Sequence, residues 1–109
     1  MDMKQLRAIV VLSEELNFVR AAARLGISQP GLSQQIQRAE TELGALLFAR
    51  SGRRVTPTEA GRMFARDSAH LVQNYDGAVA SARRAAKGQV GRLRLVRHDN
   101  QAEISRQTG

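Results

Sequence analysis

The chain is predicted to be mainly α: three short helices, a small β-hairpin and then one long helix. Three observations predict this. Apolar residues recur at helical spacing in three successive short stretches before Gly44. A short run from Leu47 to Thr56, rich in arginine and turned by Gly52, follows them. From Thr58 to Lys87 the chain has no proline and only Gly61 and Gly77 as weak points.

In the first stretch, Met3 to Leu16, the residues Leu6, Ile9, Val10 and Leu16 define one buried stripe. A second helix is expected from Phe18 to Leu25, where Phe18, Ala21, Ala22 and Leu25 share a face and the alanines admit a close neighbour. Gly26 stops it, because glycine adopts the left-handed conformation that closes a last turn. Ile27 is then a turn residue suited to burial, and Ser28 is a good N-cap for the next helix. Pro30 and Gly31 stand in that helix's first turn, where proline removes no hydrogen bond. Leu32, Ile36, Ala39 and Leu43 make its inward stripe, and Pro30, Ser33, Gln34, Gln37 and Thr41 its outward one. Leu25 to Gln29 is thus a helix-turn-helix connection.

In the hairpin, Leu47 or Phe48 anchors a strand on the core, Gly52 turns the chain, and Arg50, Arg53 and Arg54 appear with no acid between Phe48 and Thr56. Helix-turn-helix plus basic hairpin is a winged helix-turn-helix, a device that reads double-stranded DNA. A glutamine amide both donates and accepts, and so matches an adenine edge. Gln29, Ser33, Gln34 and Gln37 would otherwise be plain solvated surface. Following this connection and preceding this wing, they read as base contacts, and the wing arginines suit a backbone or a minor groove.

Composition agrees and excludes other classes. The 109 residues carry 17 basic and 10 acidic side chains, a formal net charge of +7, which favours a polyanion. There is no cysteine, hence no disulfide or thiolate metal site. No basic, then apolar leader follows Met1, and no uncharged apolar run nears the ~20 residues of a membrane span. A cytoplasmic protein without membrane contact is expected. Catalysis is not: Glu14 and Glu15 are neighbours that point about 100° apart on a helix, and His70 and His98 lack ligand-spaced companions. No metal, cofactor or small-molecule effector site is expected in this chain.

The long segment shows Phe64, Ser68, Leu71, Tyr75, Ala78, Ala82 and Ala85 at alternating spacings of four and three, the seam of a coiled coil. A homodimer through Phe64, Leu71, Tyr75, Ala78 and Ala82 is the expected use; packing on the chain's own first helix is the alternative. The expected division is a winged domain over 1–58, a linker and dimerisation helix over 59–90, and a linker remnant with a disordered tail over 91–109. Thr56, Pro57 and Glu59 satisfy a capping box at the start of the long helix.

Residues 3 to 58 resemble the DNA-binding domain of LysR-type transcriptional regulators. The likeness is carried by Gln5-Leu6-Arg7, Asn17-Phe18, Ala21-Ala22, Leu25, Ser28-Gln29-Pro30, Leu32-Ser33, Gln35-Ile36, Glu40, Leu43-Gly44, Leu47-Phe48, Arg50, Arg53 and Thr58-Glu59-Ala60-Gly61. The resemblance implies a third helix in the major groove, with Gln29, Pro30, Ser33 and Gln34 facing DNA. It implies wing arginines on the minor groove or phosphates, and a second helix on the backbone through Val19 or Arg20. The full expected DNA-binding set is Arg20, Ser28, Gln29, Pro30, Ser33, Gln34, Gln37, Arg50, Arg53 and Arg54. Family members pair antiparallel through the linker helix, which implies an inverted-repeat operator.

Four positions depart from the family pattern. Gly31 replaces an alanine, at about 0.5–1 kcal/mol of helix stability. Ala39 replaces a leucine, Gln34 a basic residue, and Pro57 an aliphatic one. Gly91 to Val96 looks like the linker and opening strand of the ligand-binding domain that follows in the family. Arg97 to Gly109 shows no pattern, so an effector domain is expected to be absent from this chain, as a fragment or a naturally short protein. Between Arg83 and Arg97 lie six basic residues and no acid, a solvated end or a source of phosphate contacts. The expected function is sequence-specific binding of double-stranded DNA in transcription regulation. An interaction protein that pairs with and antagonises a full-length regulator is the alternative, as is a non-specific architectural DNA-binding protein.

Overall fold

Caps set the helix limits in the computed structural model, which describes residues 1–95, with side chains to residue 89. Helix α1 (Met3–Glu15) opens on Asp2, whose carboxylate accepts from the Gln5 N–H while Gln5 Oε1 accepts from the Asp2 N–H, both at 3.0 Å. It ends one residue before expectation. Leu16 takes the left-handed conformation at φ 50°, its N–H on the Leu12 carbonyl, and is 39% exposed rather than part of the core. That turn lets Asn17 cap α2 (Phe18–Leu25) at once, Oδ1 accepting from the Arg20 N–H at 2.9 Å. The buried residues of α1 are Ala8, Ile9 and Leu12; Leu6 and Val10 are half-buried.

Gly26 closes α2 at φ 68°, as its position predicts, and Ser28 caps α3 (Gln29–Leu43), Oγ accepting from the Gly31 N–H at 3.0 Å. Between them Ile27 is 42% exposed, because its N–H, and not its side chain, secures the turn by donating to the Ala22 carbonyl. Leu32, Ile36 and Ala39 are buried, but Leu43, expected with them, is 42% exposed. The chain reverses at Gly44, and Leu47, fully buried, supplies the next side chain of the core.

The wing is a two-stranded antiparallel hairpin, β1 (Phe48–Ser51) and β2 (Arg54–Pro57), with Ser51 opposite Arg54 and Gly52-Arg53 as its turn. Phe48 and Val55 point inward. Pro57 ends β2 and does not open a helix. The cap of helix α4 (Glu59–Leu95) is Thr58, not Thr56: Thr58 Oγ1 accepts from the Gly61 N–H and donates to the Leu46 carbonyl, and its N–H donates to the Leu47 carbonyl. These bonds bring α4 so close to Leu47 that a Cβ on Gly61 would lie 1.9 Å from the Leu47 carbonyl oxygen. Only glycine fits there.

The chain forms two compact units, Met1–Gln73 and the residues from Asn74 on. In the first, α1, α2 and α3 pack on one another around a core of Ile9, Leu12, Leu32, Ile36, Leu47 and Phe48 with four alanines and Val55, joined by Ala65 of α4. Burying each large aliphatic side chain stabilises by about 1.5–3 kcal/mol. Phe64 packs against this core and Ser68 is fully buried. The expected pairing seam is therefore divided, since its first two residues face their own chain. Leu71, at 51% exposed, and Tyr75, at 49%, do not. The second unit is the continuation of α4, on which Ala78, Ala82 and Ala85 are exposed. The helix passes the boundary expected at residue 90 and runs to Leu95, so Gly91–Leu95 is helical and not a strand. The tail expected over 97–109 lies outside the described residues.

Candidate nucleic-acid interface

The outward side of α3 begins at the turn that Gly26 and Ser28 create. Ser28, Pro30, Gly31, Ser33, Gln34 and Gln37 line one shallow concavity along its N-terminal half. Gln29, Pro30, Gln34 and Gln37 are exposed and Ser33 half-buried, so five of the residues expected to face DNA share one accessible helix face. Ser28 is exposed too, but its hydroxyl serves the helix cap. A Cβ on Gly31 would meet Ser28 Oγ at 3.1 Å, so the helix propensity an alanine adds is opposed by crowding of that cap.

The wing lies beside this face because two links bind it there. Glu40, two turns beyond Ser33, is half-buried, and its Oε2 accepts from the Leu47 N–H at 2.7 Å and the Phe48 N–H at 3.2 Å. A carboxylate on backbone N–H groups is a charge-assisted bond, stronger than a neutral one. Arg50 makes the second link: its guanidinium lies 3.8 Å from the centroid of the Phe18 ring, and Nη2 donates to Ser33 Oγ at 3.3 Å. Arg53 at the turn and Arg54 at the start of β2 are exposed. Glu40 and Phe18 have these roles only through contacts distant in sequence. The one available sign was Glu40 itself, the acid that stands between the inward and outward stripes of a glutamine-rich helix.

On α2, Val19 and Arg20 are exposed, and Arg20 Nε sits 3.5 Å from Glu15. Arg24 bridges Glu14 at 2.8 Å and Glu15 at 3.0 Å, and these bonds, Glu14 first, raise its pKa from the ordinary arginine value. The two glutamates are thus partners of arginines on the surface of α1 and α2. Among the described residues no group of acids and histidines could hold a metal ion, and no helix is long and apolar enough to cross a membrane.

Residues 3–62 match the model of a family described as bacterial regulatory helix-turn-helix protein, lysR family. The chain is 49% identical over 94 residues to the uncharacterized HTH-type transcriptional regulator YnfL of Escherichia coli K12, covering 86% of this chain and 32% of YnfL. It is 45% identical over 95 residues to the HTH-type transcriptional regulator BudR of Klebsiella aerogenes, covering 87% of this chain and 66% of BudR. The chain thus spans from a third to two thirds of these relatives. Its fold is similar to the BenM DNA-binding domain in the crystal structure with catB site 1 DNA, at a TM-score of 0.75 and 41% identity over 79% of this chain and 97% of that one.

Proposed function

The chain belongs to the lysR family of bacterial regulatory helix-turn-helix proteins, and from that premise we propose that it binds double-stranded DNA sequence-specifically and regulates transcription. Helix α3 enters the major groove, where Gln29, Pro30, Ser33 and Gln34 meet base edges, with Gln37 and Ser28 at the margins. Arg53 and Arg54 lie on phosphates or in the minor groove, and Arg20 approaches the backbone from α2. Two chains pair through Leu71, Tyr75, Ala78 and Ala82, so the operator is an inverted repeat. One observation carries this reading: an exposed, uncharged stripe of amides and hydroxyl at the start of α3, beside an arginine hairpin bonded to the same helix by Glu40.

Footprinting on genomic fragments at two salt concentrations tests it. A defined protected site that persists against random competitor DNA as salt rises is expected, with overall affinity falling by counterion release. Protection of all sequences alike would make the protein an architectural binder; none at all would favour an antagonist that acts by pairing.

A further inference from the structure

We propose that Arg50 is a positioning residue that fixes Ser33 as a hydrogen-bond donor toward DNA, so that Ser33 selects a base by its acceptor atoms. The proposal rests on the DNA-binding reading above and adds a polarity to one of its contacts. Arg50 reaches Ser33 from β1, Nη2 donating to Oγ at 3.3 Å, while the guanidinium lies over the Phe18 ring at 3.8 Å. The ring contact limits where that guanidinium can go.

A guanidinium carries donors only and does not lose its charge, so in this contact Ser33 must accept. A hydroxyl has one proton and two lone pairs, and Arg50 occupies one lone pair. The second is a weaker acceptor beside a positive charge, which polarises the hydroxyl in favour of donation. Ser13 shows the usual fate of a helical serine's proton: its Oγ donates back to the Val10 carbonyl at 2.8 Å. Ser33 makes no such bond among the described residues, and it opens into the concavity formed with Pro30, Gln34 and Gln37. Its proton is free for an outside acceptor. In the major groove these are purine N7, guanine O6 and thymine O4, whereas the amines of adenine and cytosine offer a second donor to a site that already has one.

The test measures relative affinity for a selected operator and its single-base-pair variants, using the full chain, Ser33→Ala, Arg50→Met and Arg50→Lys, each first shown to melt cooperatively. Met keeps the apolar stem over Phe18 and removes the donor; Lys again donates without accepting. At the one base edge that Ser33 meets, the unaltered chain should disfavour variants that put an amine where the selected operator has an acceptor, by roughly 2- to 10-fold, the range of a single hydrogen bond. Ser33→Ala and Arg50→Met should abolish that preference at the same pair and leave the others, and Arg50→Lys should keep it. A loss on all duplexes alike, or an unchanged preference profile in Arg50→Met, overturns the proposal. Should Arg50→Met not fold, Ser33→Ala decides: equal weakening of all variants places its hydroxyl on a phosphate and defeats base selection. An unaltered chain that prefers no sequence defeats the DNA reading itself, which is a different result.

Discussion

Helix α4 is one uninterrupted helix with two unlike halves. Up to Gln73 it serves the first unit: Gly61 lies against the Leu47 backbone, Ala65 joins the core, and Ser68 is fully buried. Further along, Tyr75 is half-exposed, Ala78 and Ala82 are exposed, and a Cβ on Gly77 would meet nothing within 4 Å. The same spacing of four and three runs through both halves. Periodicity thus tells that a face is to be covered, and the partner must be learned from where each turn of the helix lies.

The two glycines give the sharpest way to break this contrast. Gly61→Ala should destabilise the first unit by about 3 kcal/mol or more, since the obstacle is backbone that cannot rotate away; denaturant titration reads it, and a loss below about 1 kcal/mol would show that α4 shifts freely at this point. Leu71→Asp acts where the face is open, so the fold should persist while the mass by light scattering falls to that of a single chain. An unchanged mass would mean that the exposed stripe is not the pairing surface. Gly77→Ala should have the smallest effect and the opposite sign from Gly61→Ala, a gain of about 0.5–1 kcal/mol from helix propensity in an open position; destabilisation there would reveal a close neighbour.

What could be read from the sequence was local. Ser28 as a cap, Gly26 as a stop, the Leu32-Ile36-Ala39 stripe and the Gly52 turn all depend on residues within one or two turns of one another, and the structure has them. Contacts between distant segments could not be read: Glu40 on the Leu47 and Phe48 N–H groups, and Arg50 between Phe18 and Ser33. The same limit explains the cap of α4. Thr56, Pro57 and Glu59 form a sound local pattern, but the bonds of Thr58 to the carbonyl of Leu46 and from its own N–H to that of Leu47 decide the start of the helix. Helical spacing points Leu16 and Leu43 inward, whereas each lies at a helix end where the chain turns away from the core; Ile27, in the turn between α2 and α3, is exposed as well.

The division of labour between α3 and the wing is tested most directly by measuring the affinities of Gln29→Ala and Arg53→Ala for the selected operator and for a scrambled duplex, over a range of salt. Gln29→Ala should lose about 1–3 kcal/mol on the operator and little on the scrambled duplex, whereas Arg53→Ala should weaken both and lower the salt slope by about one. Equal losses on both duplexes from Gln29→Ala would contradict the assignment of α3 as the element that reads sequence.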